Sequence, residues 1–391
     1  MNIKKSKLKK AATVRGAEGA VPARPGSRSS RSTIGPGKFH LVPTNLVDHF
    51  TFERPPKGFD LLRASMDELH SYGLPHRPDP KTMPQASRLW YHVMKRIKKF
   101  VTPELIIRRD IVHGPERNLR PLADSAEKVF AASGWSGLVA TDSPPYSSVW
   151  GVWTVPAVQV PTGQSGDFFS SAWVGLSGFG NNNLLQAGTE QDASLGYNLI
   201  NGYSSSYFAW VEWFPASPVQ MGQSSSQFPD GLPTFPIAPG QTVAVFVGEF
   251  GDGSGRGLFS MANLETGLAI TPLVVPIPTV DFMGNTIDPA LTGPNQTSAE
   301  WIVERPGTLE NGQLTLLELA DYGEVNFTNA GATAAGPGST GDVIKTETIA
   351  AASDTNAISV TMIADDGTTP LSEETVTPAL HFTFQQTAAG Q

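Results

Sequence analysis

The chain has 391 residues and a formal net charge of −8, with 39 Gly, 32 Pro and no Cys. The lack of cysteine excludes a disulfide framework, a thiolate metal site and a cysteine nucleophile. No stretch of about eighteen apolar residues occurs, so no membrane span is predicted. The length allows one large β domain with an appendage.

Charge is distributed very unevenly along the chain. Residues 1–120 carry 24 Lys and Arg against 10 Asp and Glu, a net charge of +14, whereas residues 121–391 carry four against 26, a net charge of −22. This asymmetry predicts two units with different roles. An acidic unit with almost no bases approaches neutrality as its carboxylates protonate, which favours adaptation to low pH over the alternative, solubility at neutral pH.

Residues 1–38 are dominated by Lys, Arg, Ser, Gly and Pro, which predicts a disordered basic tail. The run Lys4–Lys10 indicates a solvated tail. A nucleic-acid or membrane-surface arm is the alternative, but the acidic domain behind it would oppose polyanion binding, and no nucleic-acid partner is expected. The residues after Lys10 are too polar for a signal-peptide apolar region, so no recognisable signal peptide is present.

Residues 39–127 are predicted to form a leader segment with short helices. The sequence Ser65-Met66-Asp67-Glu68 is a capping-box pattern, which marks a helix start. The Pro-rich stretch 73–80 predicts an extended connector. One face of an amphipathic helix follows, formed by Trp90, Val93, Met94 and Ile97.

Residues 128–391 are predicted to be all-β. The candidate strands are short and rich in Val, Ile, Phe and Trp: 149–158, 170–176, 206–214, 242–249, 257–262, 269–275, 299–304, 315–321, 357–363 and 380–384. Many short strands separated by turn signals indicate a sandwich or a barrel.

Strand alternation predicts which of these side chains share a face. Trp210 and Glu212 point the same way from one strand, and an unpaired buried carboxylate is costly, so that face is expected to line a cleft. In the strand 299–304, Glu300, Ile302 and Glu304 face one side, and the alternate residues face the other.

Four short segments together resemble one known family. They are Ser-Ala-Trp-Val-Gly-Leu-Ser-Gly (171–178), Leu-Leu-Gln-Ala-Gly (184–188), Tyr-Phe-Ala-Trp-Val-Glu-Trp-Phe-Pro (207–215) and Ser-Ala-Glu-Trp-Ile-Val-Glu (298–304). Their order and spacing resemble the glutamic peptidases, or eqolisins, over roughly residues 133–330. The segment Gly-Leu-Pro-His-Arg-Pro-Asp (73–79) before a Trp-bearing helix is similar to the leader of bacterial members.

The resemblance implies a two-sheet, antiparallel, lectin-like β-sandwich with a catalytic Gln/Glu dyad. The matching residues are Gln186, as oxyanion stabiliser, and Glu300, as general base and then acid. A lone Gln is usually a strand-end residue and a lone Glu a surface carboxylate, but both flanking motifs are present here. Four further residues match positions around the family's cleft and are expected to bind substrate or tune the dyad: Trp173, Glu190, Trp210 and Glu212.

The expected function is an acid-acting endopeptidase that cleaves protein or peptide substrates as a monomer, without cofactor or metal. The resemblance implies that the protein is secreted. One position departs from the pattern: Ser177 stands where an Asp is common, which leaves the pH optimum open.

Other functions find less support in the residues. No His-Glu-x-x-His zinc motif and no Gly-x-Ser-x-Gly nucleophile elbow occurs. Two alternatives stay open. One is a non-catalytic, lectin-like module that binds glycans or peptides on its Trp-rich face. The other is a structural shell protein, which the acidic domain and the dyad motifs oppose.

The opposite charges of the two units predict an inhibitory leader. Residues 1 to about 125 are expected to act as a propeptide, with the segment around Trp90–Lys99 over the acidic cleft at neutral pH and released by acid. An independent accessory segment is the alternative.

Overall fold

The structure, a computed structural model, describes residues 39–81, 84–116, 119–122, 129–141, 145–196, 202–222, 235–288, 297–334, 345–347, 357–377 and 381–386. The predicted basic tail, residues 1–38, lies outside the described residues. Within these ranges, no helix has both the length and the apolar character needed to cross a membrane.

The described residues of the leader form two helices and five short strands. These are β1 (Leu41–Pro43), β2 (Phe50–Phe52), α1 (Met66–Ser71), α2 (Pro84–Arg96), β3 (Lys99–Val101), β4 (Leu105–Ile107) and β5 (Arg120–Pro121). The predicted capping box is present, because the Ser65 hydroxyl accepts from the Glu68 backbone N–H at 3.2 Å and the Glu68 carboxylate accepts from the Ser65 N–H at 2.7 Å.

The rest of the described chain is built almost entirely of strands, which confirms the predicted all-β class. Their bounds are β6 (Val129–Ala132), β7 (Trp135–Ala140), β8 (Tyr146–Thr154), β9 (Gly166–Leu176), β10 (Leu184–Leu195), β11 (Tyr203–Phe214), β12 (Val219–Met221), β13 (Thr242–Glu249), β14 (Gly257–Asn263), β15 (Leu268–Ile270), β16 (Leu273–Val275), β17 (Ala299–Glu304), β18 (Gly307–Glu310), β19 (Gln313–Leu316), β20 (Glu324–Ala334), β21 (Lys345–Glu347), β22 (Ala357–Ile363), β23 (Pro370–Thr377) and β24 (His381–Gln386).

The strands form two layers. The first, called the groove layer, has the order β7, β17, β9, β10, β11, β12 and β4, and all its neighbours are antiparallel. The second, called the back layer, has the order β20, β8, β13 and β14, with β15 and β16 beyond. Strands β22, β23 and β24 join the layers along one edge, because β22 pairs with β7 and β24 pairs with β20.

The main hydrophobic core lies between the two layers. The groove layer contributes the residues that alternate with its outward face, such as Val174, Ala187, Val211 and Trp301. The back layer contributes Val and aromatic side chains, among them Trp153. Because one face of each strand packs in this core, the opposite face of the groove layer is available for other contacts.

Helix α2 packs on the back layer, so its expected position over the acidic cleft is wrong. Its residues Val93 and Ile97 pack against Val152 and Ala262 of β8 and β14. The apolar stripe of the helix requires an apolar partner, which the back layer supplies and a carboxylate-lined groove does not.

Two strand predictions differ from the observed strands, because the apolar pattern of the sequence does not match the strand pairing there. The predicted strand 315–321 is wrong, because the chain forms the hairpin β18–β19 and leaves strand geometry after Leu316. Its two-residue loop, Asn311-Gly312, has positive φ at both positions (53° and 78°), as a type I′ turn requires. Strand β10, which carries Gln186, was not predicted at all.

Candidate active site

Four neighbouring strands, β17, β9, β10 and β11, place all six predicted site residues on one face. Because alternate strand residues face the same side, this face lies opposite the main core. It carries Trp173, Gln186, Glu190, Trp210, Glu212 and Glu300, together with Gly175 and Glu304. The predicted grouping of Glu300 with Glu304 and of Trp210 with Glu212 is therefore confirmed.

Strand register aligns the two dyad residues in one row. Gln186 lies opposite Glu212 on one side and Gly175 on the other, and Glu300 also lies opposite Gly175. Neighbouring strands are about 4.8 Å apart, so the Cα atoms of Gln186 and Glu300 are separated by roughly 10 Å. Gly175 contributes no side chain to the space between them.

The Gln186 side chain is fully buried and has both amide protons engaged. Its Nε2 donates to Glu212 Oε2 at 2.7 Å and to the main-chain carbonyl of His113 at 2.8 Å. Its Oε1 has no hydrogen-bond partner among the described residues. The bond to Glu212 fixes which way the amide faces, and the second proton is aimed at a peptide carbonyl.

The Glu300 carboxyl is also fully buried, and neither oxygen has a hydrogen-bond partner of ordinary geometry in the part of the chain that the structure describes. Burial raises its pKa well above the ordinary value, and hydrogen bonding by the Ser298 side chain and the Phe179 backbone opposes this only in part. A carboxyl with unused oxygens and a raised pKa in a groove is a candidate acid–base group.

The other predicted residues surround an acidic pocket next to this row. Trp173 Nε1 donates to Glu304 Oε2 at 2.8 Å, and Trp210 Nε1 donates to the hydroxyl of Ser171 at 3.1 Å. Glu190 lies directly opposite Ser171 across the β9–β10 pair. Burial raises the pKa values of Glu190 and Glu304, and the negative charges of neighbouring acids add to this effect.

His113 of the leader fills this pocket. Its ring stacks on Trp210 with centroids 3.9 Å apart and planes 4° apart. Nδ1 lies 3.1 Å from Glu304 Oε2, and Nε2 lies 3.4 Å from Glu190 Oε2 without hydrogen-bond geometry. Burial, followed by the charge of Arg108, lowers the pKa of His113 well below its ordinary value.

The expected open cleft is therefore covered in this structure. Trp210, Glu212 and Glu300 are at most 1% exposed. The prediction that this face would not lie in a dry core rested on the cost of burying an unpaired carboxylate. The leader meets that cost in part at Glu304, beside which it places the polar ring of His113.

Ser177, which replaces the common Asp, shapes the loop before the Glu300 strand. Its φ is 68°, and its backbone N–H donates to the Ser298 carbonyl at 3.0 Å. Its hydroxyl accepts from the Thr297 N–H at 3.3 Å. Ser177 thus anchors the start of β17 rather than placing a charge beside Glu300.

Three contributors to the site were missed: His113, Glu304 and Gly175. Glu304 was assigned to the correct face but given no role. Gly175 lies inside the segment 171–178, and the strand register places it opposite Gln186 and Glu300. His113 carries no local signal, because its contacts lie 73 to 191 positions away in the chain. Among the described residues, no group of three or more His, Asp or Glu side chains is arranged to hold a metal ion.

Comparison with known proteins gives consistent matches. A model of the Peptidase A4 family matches residues 133–370. Aspergillopepsin-2 of Aspergillus niger is 29% identical over 242 residues, which span 58% of this chain and 72% of that protein. A crystal structure of scytalido-glutamic peptidase with a peptide-based transition-state analogue is similar with a TM-score of 0.45 and 20% identity, covering 65% of this chain and 98% of that one. A structure of SCP-B, an eqolisin, in complex with the tripeptide Ala-Ile-His has a TM-score of 0.44 and 19% identity over the same shares.

The sandwich fold, its row of acid and amide side chains and the family match define the class of this protein as a glutamic endopeptidase. The family model spans well over half of the chain. The chain belongs to the Peptidase A4 family.

Proposed function

We propose that this peptidase acts in acid and cleaves peptide bonds with Gln186 and Glu300 as its catalytic dyad. The observation that carries the proposal is the bond of 2.8 Å from Gln186 Nε2 to the carbonyl of His113. A side-chain amide that binds a peptide carbonyl in a buried groove is placed to stabilise the oxyanion that develops on such a carbonyl.

The chemistry follows from the two side chains. Glu300, when ionised, takes a proton from a water, whose oxygen then attacks the carbonyl carbon of the substrate. Gln186 donates to the developing oxyanion the amide proton that the His113 carbonyl accepts in this structure, while Glu212 holds the other amide proton. Glu300 then gives its proton to the leaving amine as the C–N bond breaks. Each peptide bond that is cleaved consumes one water molecule.

Activity at acidic pH is supported by the charge of the β domain and by the raised pKa of Glu300. Residues 121–391 carry four Lys and Arg, so protonation of their carboxylates does not leave a large positive charge. Burial raises the pKa of Glu300 well above its ordinary value. A glutamate exchanges protons in acid at its ordinary pKa of about 4.3, and a raised pKa helps it to hold the proton that it later gives to the leaving amine.

The test is cleavage of a denatured protein substrate by the full chain between pH 2 and 7. Glu300→Gln should lose about 10²–10⁴-fold in rate, because acid–base catalysis contributes that much. The exposed carboxylate variant Glu310→Gln is the matched control and should retain the wild-type rate. Retention of more than a few per cent of the rate by Glu300→Gln overturns the dyad.

Inhibitors supply a second test of the same proposal. Chelators, thiol reagents, serine-directed acylating agents and pepstatin should leave the activity unchanged, since the proposed step uses neither metal, Cys, Ser nor a pair of Asp. Inactivation by a chelator alone would point to a metal-dependent step. Substrate binding without any cleavage, in the wild type as in Glu300→Gln, would favour a binding module.

A further inference from the structure

A cavity of about 130 Å³ lies between helix α2 and the outer face of the back layer. Trp90, Val93 and Ile97 line it from the helix, and strands β8, β13 and β14 line it from the sheet. On this outer face Val152 and Ala262 pack against the helix, whereas residues that alternate with them belong to the main core. The cavity therefore lies on the layer that does not carry the proposed dyad.

The walls of the cavity are almost wholly apolar, and its size matches one small ring. The helix adds Leu89 and Met94 to the lining, and the sheet adds Ala244 and Phe246. An apolar cavity of about 150 Å³ in a protein interior is large enough to hold benzene. The space between α2 and the back layer is thus suited to a single six-membered ring.

Glycine backbone makes room for the two aromatic side chains on the sheet side. Strand register places Trp150, Phe246 and Ser260 side by side on β8, β13 and β14. A Cβ added to Gly331 would lie 2.4 Å from Trp150 Cζ2. One added to Gly248 would lie 3.1 Å from Phe246 Cε1. The two rings thus extend over glycine backbone, and they line the cavity without filling it.

A buried hydroxyl without a protein partner lies in the wall of this apolar space. Ser260 lines the cavity and shares one face of β14 with Ala262, which packs against the helix. Its Oγ is buried and makes no hydrogen bond with any described residue. Because an unpartnered buried hydroxyl is costly, a ligand that supplies the missing partner is favoured. A hydroxyl both donates and accepts, so it suits a ligand that carries one hydroxyl of its own.

We propose that this cavity binds a monocyclic phenol, with its ring against Trp90 and Phe246 and its hydroxyl bonded to Ser260 Oγ. A plain hydrocarbon leaves the Ser260 hydroxyl unpartnered, and a long acyl chain exceeds the volume. The bound phenol contacts both the leader and the β domain, so its binding stabilises the folded chain. The inference goes beyond the proposed peptidase function and does not depend on it, because the cavity and the dyad lie on different layers.

Isothermal titration calorimetry of the full-length chain at pH 7 tests the proposal with two probes, phenol and toluene. Toluene has a methyl group in place of the hydroxyl, so the pair isolates the polar contact. The wild type should bind phenol with a Kd of about 1 mM or tighter. Ser260→Ala should weaken phenol binding by about threefold to tenfold, the usual effect of one hydrogen bond, and change toluene binding by less than about twofold. Ser205→Ala, at an exposed position of β11, is the control and should bind both probes as the wild type does.

A cavity-filling variant locates the site. Ala244→Leu places a larger side chain in the cavity and should abolish the binding of both probes, with circular dichroism to verify folding. Glu300→Gln should bind phenol like the wild type whether or not the wild type cleaves a substrate, so failure of the proposed dyad leaves this measurement unaffected. A wild type that binds no phenol, or phenol binding that persists in a folded Ala244→Leu chain, refutes the site. An equal loss of phenol and toluene affinity in Ser260→Ala refutes the bond to Ser260, and this comparison remains the test if Ala244→Leu misfolds.

Discussion

Gln186 and Glu300 lie at matching positions two strands apart, each directly opposite Gly175. The residue between them has no side chain, so Gly175 itself places no atom beyond its backbone between the amide and the carboxyl. A Cβ at Gly175 would lie 2.9 Å from Trp173 Cζ3, 3.0 Å from Leu184 Cδ1 and 3.2 Å from Gln186 Cβ. These contacts are tighter than an ordinary Cβ makes, so a larger residue must shift the Trp173 ring and press on Leu184 and on Gln186 of the proposed dyad.

Gly175→Ala should therefore reduce kcat by about tenfold or more, because small displacements of reacting groups are costly in rate. The measurement is steady-state cleavage of a peptide substrate at pH 4. Gly251→Ala is the control, since nothing lies within 4 Å of the added Cβ there. Equal kcat for the two variants would show that the gap between Gln186 and Glu300 has no role in the reaction.

Gln186→Ala should lower kcat by about 10²–10³-fold, the usual cost of one oxyanion donor. Gln186→Glu should be similarly inactive, because an ionised carboxylate repels the oxyanion. Both are compared with Gln313→Ala, an exposed strand glutamine. A Gln186→Ala enzyme that keeps its kcat and changes only KM would limit this residue to substrate binding.

The extent to which the sequence predicts this fold depends on how apolar each strand is. Strand β17 was predicted with its observed bounds, because Trp301, Ile302 and Val303 form a continuous apolar run inside a recognisable motif. Strand β10 was missed because its groove side carries Gln186 and Glu190 and breaks the alternation of apolar residues. It is nevertheless a strand, since both of its neighbours pair with it over nearly its whole length.

The site was predictable where it lies on the strands and unpredictable where the leader meets it. Register and alternation bring Glu212 beside Gln186 without any long-range information beyond the strand pairing. The contact of Val112 with Gly307 joins residues far apart in the chain, and nothing in the local sequence around His113 indicates it. Charge complementarity predicted that the leader is attracted to the acidic domain, but it assigned the wrong segment of the leader to the groove.

Glu212 is predicted to be a positioning residue that acts through Gln186. Its carboxyl accepts from Gln186 Nε2 at 2.7 Å, and a hydrogen bond contributes a net stabilisation of about 0.5–1.5 kcal/mol. Glu212→Gln retains an acceptor oxygen but also offers an amide, so the orientation of Gln186 is no longer unique. We expect kcat to fall about tenfold with KM changed less than about twofold.

The pH profile distinguishes this role from a merely structural one. Burial, and secondarily the charge of Glu304, raises the pKa of Glu212 well above its ordinary value. If its ionised form orients Gln186, the pH profile of kcat should lose one ionisation in Glu212→Gln. A profile of unchanged shape, with kcat lowered uniformly and the melting temperature reduced, would assign Glu212 to packing instead.

The stability of the folded chain should decrease as the pH rises from about 4.5 to 7. Burial raises the pKa values of four glutamates and, to about 6, that of Asp192; the glutamates are Glu190, Glu212, Glu300 and Glu304. A carboxyl whose pKa is higher in the folded state takes up a proton on folding. Its contribution is present below the unfolded pKa of about 4.3 and is lost as the pH rises through the folded pKa. His113, whose pKa is lowered, acts in the opposite direction, since its contribution is lost as the pH falls below about 6.5. It is one group against five carboxyls, so the decrease with rising pH should dominate.

Urea unfolding of the full chain at pH 4.5, 5.5 and 7 measures this slope, and Glu190→Gln isolates one contribution to it. Glu190 is chosen because no described side chain donates a hydrogen bond to its oxygens, so the amide replaces it with little loss of contacts. Removing a carboxyl that is protonated on folding should flatten the slope by up to about 1.4 kcal/mol per pH unit. Glu310→Gln, at an exposed position, should leave the slope unchanged. A free energy of unfolding that rises with pH over this range would contradict a dominant contribution from carboxyls with raised pKa values, and a Glu190→Gln slope equal to that of the wild type would mean that Glu190 takes up no proton on folding.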